Sequence, residues 1–397
     1  MSDTLATRIP AYPFGNDGLD PRLPDFGQEG VGRVQLPTGQ QAWLFTRHEH
    51  LRELLRSPDF SSDFSRPGFP LIRPLPKEMP QREGSFIRMD PPDHTKFRRM
   101  LTPEFMIKHI RTLEPLIQQT VLEALESMRA AGKPADLVEH FALPVPSMVI
   151  CHLLGVPYTD HEFFQERSRI LLAWASPPEQ VQTAIEELRD YLVRLIADKR
   201  RNPGDDMISR LAVERVETGE MTERELVGLS VLLLIAGHET TSNMIGLSAL
   251  VMLQHPAQLE RLRQDPALID DTVEELLRYL TIVRTGLTRV AIRDTEVGGH
   301  RVAAGEGVIG LLSAANRDED VFPDAERFDL TRGSHQHMAF GFGIHQCIGQ
   351  PLARAELRIA LAELFTRLPG LELAVDPSSV EFRDAVVFGV RELEVTW

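Results

Sequence analysis

Apolar residues at helical spacing dominate the middle of the chain. In "HIRTLEPLIQQTVLEALESMRAAG", Ile110, Leu113, Ile117, Val121 and Leu125 recur three or four residues apart, so they share one face of a helix that stops at Gly132. The same reading predicts helices over 140–154, 160–174, 178–201, 206–217, 222–254 and 266–281. "QPLARAELRIALAELFTRL" adds another, with Leu357, Leu361, Leu364, Phe365 and Leu368 turned inward. Strand patterns are fewer. "GRVQL" and "QAWLFT", joined by "PTGQ", predict a hairpin, which "RHEHLRELLRS" follows as a short helix. Short strands are expected near 287–292, 296–303 and 307–312, and the tail from 371 reads as strands. Residues 9–27 read as an extended segment, and the proline-rich stretch 57–93 as a long loop, either functional or disordered. The fold class that follows is mainly α with minor β.

One helix breaks its own pattern. "VLLLIAGHETTSNMIGLSALVML", Val231 to Leu253, is apolar at both ends, yet His238 to Asn243 insert six polar side chains. In isolation, hydroxyls satisfying each other between packed helices would explain it. "HE" also opens the HExxH zinc motif, but the fifth position is Ser242, so the second histidine ligand is missing.

Composition narrows the choice. With 397 residues, 42% of them hydrophobic and no Gly/Ser-rich linker, the chain is expected to form one unit over 1–397. A formal net charge of −15 argues against a general nucleic-acid binder, which needs a basic surface. The N-terminus lacks the basic start and apolar core of a signal peptide. The longest apolar run, Leu226 to Gly237, falls short of the roughly 20 residues that span a bilayer. A cytoplasmic protein off the membrane is expected.

The two cysteines, Cys151 and Cys347, form neither a disulfide framework nor a CxxC site. Cys151, in "SMVICHLLGV", suits a buried structural role. Cys347 differs, lying in "AFGFGIHQCIGQPLARAEL" among glycines 341, 343 and 349 and just before a helix whose first turn holds Pro351. N–H groups and the positive end of the helix dipole there favour a thiolate. A nucleophile with His345 as base is the weaker reading, because no oxyanion site or orienting partner is in view. Zinc or an iron–sulfur cluster would need more ligands. A single thiolate ligand suits haem iron.

At this point the sequence resembles the cytochrome P450 family of haem-thiolate monooxygenases over nearly its whole length. The loop pattern FGxGxHxCxG is met by Phe340, Gly341, Gly343, His345, Cys347 and Gly349. The ExxR pattern is met by Glu275 and Arg278, with Arg327 in "FPDAERFDL" as the expected third member of a Glu-Arg-Arg cluster. The AGxET pattern is met by Ala236, Gly237, Glu239 and Thr240, inside the polar break. The resemblance implies a triangular, α-rich prism with small sheets. It places haem b between the helix at 222–254 and the one beginning near 350, with Cys347 as axial ligand. His94 and Arg98, at i,i+4 in "DPPDHTKFRR", are implied as propionate partners with Arg289 and His345.

The implied reaction inserts one oxygen atom from O2 into a C–H or C=C bond of a lipophilic small molecule, such as a polyketide, a macrolide or a sterol- or drug-like compound. Thr240 would donate a hydrogen bond at the haem face, and Glu239 would pass protons in from solvent. Ala236 and Gly237 would leave room there, while His238 receives no role. Ferredoxin and ferredoxin reductase are the implied electron donors, docking at Arg98, Arg99, Arg354 and Arg358 of a monomer. Substrate contacts are expected from 57–93, from Trp174 to Pro178, and from Val283, Val387 and Phe388. Arg73, Arg82, Arg88 and Arg284 are isolated cations among these segments. A peroxygenase or dehydratase, or a haem sensor, is the alternative, and such a protein would not need the acid–threonine pair.

Overall fold

The computed structural model describes residues 19, 21, 23–73 and 83–397. In chain order the helices are α1 (His48–Arg56), α2 (Asp93–Leu101), α3 (Ile107–Ala131), α4 (Pro144–Leu154), α5 (His161–Leu172), α6 (Pro178–Arg201) and α7 (Met207–Leu211). They continue as α8 (Glu223–Gln254), α9 (Pro256–Gln264), α10 (Ile269–Leu280), α11 (Leu312–Ala315) and α12 (Gln350–Arg367). The strands are β1 (Val31–Gln35), β2 (Gln41–Phe45), β3 (Phe60–Ser61), β4 (Ala135–Asp136) and β5 (Leu287–Ala291). After them come β6 (Thr295–Val297), β7 (His300–Val302), β8 (Gly307–Gly310), β9 (Glu372–Leu373) and β10 (Glu394–Thr396).

The expected α-rich class is what the chain adopts. The 32-residue α8 runs for roughly 48 Å at the helical rise. A capping box starts it: the Glu225 N–H donates to Thr222 Oγ1 at 3.1 Å, and the Thr222 N–H donates to Glu225 Oε2 at 2.6 Å. Around it pack α4, α6, α10 and α12, and α12 in turn lies on α3. Their apolar faces merge into the main core, which contains Ile117, Leu125, Val149, Leu234, Leu277, Leu361 and Phe388.

A five-stranded sheet in the order β1-β2-β8-β5-β3 stands to one side over a smaller core of its own. β5 pairs antiparallel with β8, setting Arg289 opposite Val308. Several boundaries shift. The helix expected over 140–154 begins with a π-turn, Val138–Ala142, and the one over 206–217 ends in another, Ala212–Val216. The tail holds less strand than its alternation predicted, with only β9, β10 and isolated bridges. Of the long loop, β3 and a turn at Phe86–Arg88 are ordered elements, while Arg82 lies outside the described residues. Among the described residues, no helix is long and apolar enough to cross a membrane.

Candidate active site

The loop before α12 folds back on itself to present Cys347. The Gly341 N–H donates to Met338 O at 2.8 Å and the Cys347 N–H to Phe340 O at 2.9 Å. Gly343 adopts a left-handed conformation with φ 74°, where a β-carbon would lie 2.2 Å from Leu55 O, so the turn admits no side chain. Cys347 is exposed, whereas Cys151 is buried and its thiol is pushed up to about 12. The sulfur accepts N–H bonds from Gly349 and Gln350. Those bonds and the charges of Arg98 and Arg354 act on the sulfur in favour of the thiolate.

Beside this loop five basic side chains converge from separate elements: Arg88, His94 and Arg98 around α2, Arg289 from β5, and His345. The His94 and His345 rings stand 4.2 Å apart, and Ser62 Oγ lies 3.0 Å from His345 Nε2. Burial first, then Arg289, His94 and Arg98, push His345 down to about 2, so it is neutral at pH 7. Arg289 is pushed down to about 10 by burial and by Arg88, and stays charged. Among the described residues, His94 Nε2 and His345 Nδ1 are buried without a hydrogen-bond partner. Asp90 is the acid acting on the cluster, and Ser61 and the Ser62 N–H already occupy its oxygens. Unpaired buried donors around uncompensated arginines suit a ligand carrying carboxylates. With the accessible sulfur alongside, these residues fit haem and its two propionates.

The polar stretch of α8 stays helical because its side chains bond one turn back. His238 Nδ1 lies 2.7 Å from Leu234 O, Thr240 Oγ1 donates to Ala236 O at 2.7 Å, and Asn243 Nδ2 donates to Glu239 O at 2.7 Å. With its proton on Ala236, Thr240 turns oxygen lone pairs outward, so it accepts where a donor was expected. Leu232, Ala236 and Thr240, at i, i+4 and i+8, form an accessible stripe along the middle of α8. Gly237 departs from expectation. A β-carbon there would meet Ile150 Cγ1 at 2.6 Å, so its small size serves packing against α4 and only Ala236 opens the accessible face.

Glu239 is buried, and its two oxygens look different ways. Oε2 accepts from Arg383 Nη1 at 3.2 Å, and Oε1 is 3.7 Å from His238 Nε2. A cavity of about 830 Å³ reaches Glu239 and Asn243, walled by polar groups including Glu139, His140, Glu162, Arg169 and Arg383. Two of the segments expected near substrate meet at its rim. The Trp174 N–H donates to Asp384 O at 3.1 Å, the Val386 N–H to Leu172 O at 2.9 Å, and Ala173 bridges Ala385. Val387 borders the cavity and Val283 is half-buried against the smaller core. Phe388 does not fit a substrate contact: it is 0% exposed, stacked on Phe382 with the Arg284 guanidinium 3.3 Å from its ring centre. Arg73 is also committed, donating to Leu171 O at 3.0 Å at the end of α5.

Glu275 and Arg278 pair as expected, fully buried, through bonds of 2.7 and 2.8 Å. The third member is Arg332. Its Nε donates to Glu275 Oε1 at 3.1 Å, while the Arg327 side chain is 65% exposed, 3.8 Å from Asp329. The chain turns between the two arginines, so Arg327 contributes only its carbonyl, 2.6 Å from Arg332 Nη2. Neighbouring Glu274, absent from the motif reading, ties α10 to the cysteine loop. It accepts from Arg354 Nε at 2.6 Å and lies 3.0 Å from His337 Nε2. Those partners overcome burial and hold its carboxyl down at about 2.

Glu356 was not singled out either, although a lone acid among the apolar positions of α12 was the available signal. It is 1% exposed, and burial pushes its carboxyl up to about 8 against one bond from Thr241. A carboxyl raised in the folded state costs nothing below its unfolded value and costs more as pH climbs toward the folded one. Glu356→Gln is therefore expected to stabilise the protein increasingly between about pH 5 and pH 8, by on the order of 3 kcal/mol at pH 7. Thermal unfolding of both proteins across that range checks it, and a constant offset would contradict a neutral carboxyl.

Over residues 36–379 the chain matches the family profile "Cytochrome P450". It is similar to cytochrome P450-SU2 of Streptomyces griseolus, 48% identical, with 99% of this chain and 96% of that one covered. It is also similar to the 20-oxo-5-O-mycaminosyltylactone 23-monooxygenase of Streptomyces fradiae, 42% identical over 93% of this chain and 87% of that one. Among solved structures, the mycinamicin VIII C21 methyl hydroxylase MycCI of Micromonospora griseorubida, bound to mycinamicin VIII, superposes with a TM-score of 0.85. The two are 40% identical, with 92% of this chain and 93% of that one covered. Likeness at this level along nearly the full length of each chain makes this protein a member of the cytochrome P450 family.

Proposed function

We propose that residues 1–397 form a single haem b domain that hydroxylates or epoxidises a bulky lipophilic secondary metabolite with electrons from a ferredoxin and its reductase. The observation that carries the reading is the position of Glu239, which abuts a solvent-side cavity while Ala236 and Thr240, on the same helix, face the open side. Haem held by one thiolate supplies, when bound, an electron-rich iron that favours cleavage of the O–O bond of dioxygen. Cys347 would hold the iron in this reading, with the Gly349 and Gln350 N–H groups tempering the sulfur. His94, Arg98, Arg289 and His345 would hold the propionates, and Phe340, Gly341 and Gly349 shape the loop. Glu239 takes a proton from cavity water and passes it toward Thr240, whose lone pairs receive it in an apolar wall that keeps bulk water out.

Two relatives act, by name, on a mycaminosyltylactone and a mycinamicin. A macrolide or other polyketide is accordingly the first substrate class to try here, with sterol- and drug-like compounds next. Val283 and Val387 stand beside the segments that would select among them. The test pairs two variants in the haem-loaded enzyme with a ligand that shifts the iron's spin state. Thr240→Ala should bind haem yet divert most reducing equivalents to peroxide, and Glu239→Gln should slow turnover roughly 10- to 100-fold. Normal rate and coupling in both would leave these residues as packing.

For the electron donor, Arg354 and Arg358 are poor probes because they already pair with Glu274 and Glu114. Arg99 and Ile344 are exposed on the thiolate side and make a cleaner surface for an acidic partner. Arg99→Glu should lower the second-order rate of reduction by ferredoxin severalfold, most at low salt, with substrate binding unchanged. An unaltered rate would move the docking surface elsewhere.

A further inference from the structure

His238 is 0% exposed and occupies the position between Gly237 and Glu239. Its Nδ1 lies 2.7 Å from Leu234 O, and a carbonyl oxygen only accepts, so Nδ1 carries the hydrogen. Burial lowers its pKa below 6.5, which leaves the ring neutral at pH 7 and Nε2 a bare lone pair. Among the described residues Nε2 has no hydrogen-bond partner. It points instead to Glu239, with Oε1 3.7 Å away. Phe164 of α5 covers the ring edge-on at 5.4 Å, and the charged groups acting on the imidazole are Glu239 and, from the tail, Arg383.

Two acceptors facing each other gain nothing from the contact, and a buried imidazole nitrogen wants a donor. One proton entering the pair turns the contact into a charge-assisted hydrogen bond. Activating one dioxygen consumes two protons, whereas Glu239 holds only one at a time. We infer that His238 and Glu239 together form a two-site proton store: His238 Nε2 takes the proton of Glu239 Oε1, the carboxylate is reloaded with a second proton from cavity water, and His238 returns its own once the acid has been emptied toward Thr240. The bonds balance: O–H breaks at Oε1 as N–H forms at Nε2, the Nδ1 hydrogen stays on Leu234, and no electron moves. The imidazolium formed sits against the carboxylate it has just ionised, whose Oε2 remains on Arg383. His238 is thus a further proton-carrying residue of the relay, and the inference rests on the Glu239 reading above.

The test uses the haem-loaded protein. His238→Asn keeps an N–H for Leu234 and deletes Nε2, while Glu239→Gln keeps His238 and deletes its charged partner. In the reduced carbon monoxide complex, nitrogen NMR of labelled histidine should show His238 protonated at Nδ1. Its titration midpoint should fall by about one pH unit in Glu239→Gln. His238→Asn should retain the thiolate-type carbon monoxide spectrum and release about threefold more peroxide per turnover at pH 8, returning to the parent value near pH 6 where protons are plentiful. Normal turnover in Glu239→Gln would overturn the relay itself. A slowed Glu239→Gln, with a His238 signal blind to that change and a parent-like pH profile in His238→Asn, would overturn the histidine's part alone.

Discussion

Cys347→Ser should abolish the thiolate-type Soret band of the reduced carbon monoxide complex and lower oxygen-dependent turnover at least about a hundredfold. The fold gives the variant a fair trial. Serine fits where cysteine stood, and the backbone bonds that shape the loop, Gly341 to Met338 and Cys347 to Phe340, do not involve the side chain. The cluster of arginines and imidazoles at His94, Arg98, Arg289 and His345 would be untouched, so haem should still be retained. What disappears is the soft, electron-rich ligand, since a serine hydroxyl beside the same N–H donors is a far weaker base toward iron. A parent-like band from Cys347→Ser would place the ligand elsewhere.

Removing one partner of the Glu275–Arg278 pair should be nearly as severe, but through folding. Both side chains are 0% exposed, and Arg278 also donates to Asn316 O at 2.8 Å and Ala325 O at 2.9 Å. Arg278→Ala would strip the buried Glu275 carboxylate of its bidentate partner, leaving it to Arg332, Ser334 and the Asp329 N–H, and would strand two carbonyls, a loss of about 3–5 kcal/mol. Arg332→Ala should follow in the same direction at about half that size, whereas Arg327→Ala should fall within about 0.5 kcal/mol of the parent. Denaturant unfolding and haem content report both. Equal losses at 327 and 332 would contradict the arrangement described.

That pair of arginines also marks where the sequence stops being legible. Glu275 and Arg278, or His94 and Arg98, sit within one helix, where spacing alone sets which side chains share a face. Arg327 and Arg332 are five residues apart in an irregular segment, and which one turns inward depends on backbone turns that no periodicity records. Phe388 was misread for a related reason. An aromatic residue in a tail of short bridges looks available to a ligand, and only the arrival of Phe382 and Arg284 on its two sides makes it core. Cys347 and the polar stretch of α8 were legible because each departs from an otherwise regular pattern. Gly237 shows the limit of that method: its smallness was plain, but the neighbour that demands it, Ile150 on α4, is remote in sequence.

The join between the α5–α6 turn and the tail at 382–390 has a consequence for how such an enzyme diversifies. One short segment carries both Val387, proposed above to help select the substrate, and Arg383, the outer partner of Glu239. A change that reshapes the roof to admit a new molecule also moves the arginine that meets the acid. Substrate range and efficient use of reducing power are therefore not independent traits here. Variants selected only for accepting a larger compound should tend to squander electrons until a second substitution in the same tail restores the latch.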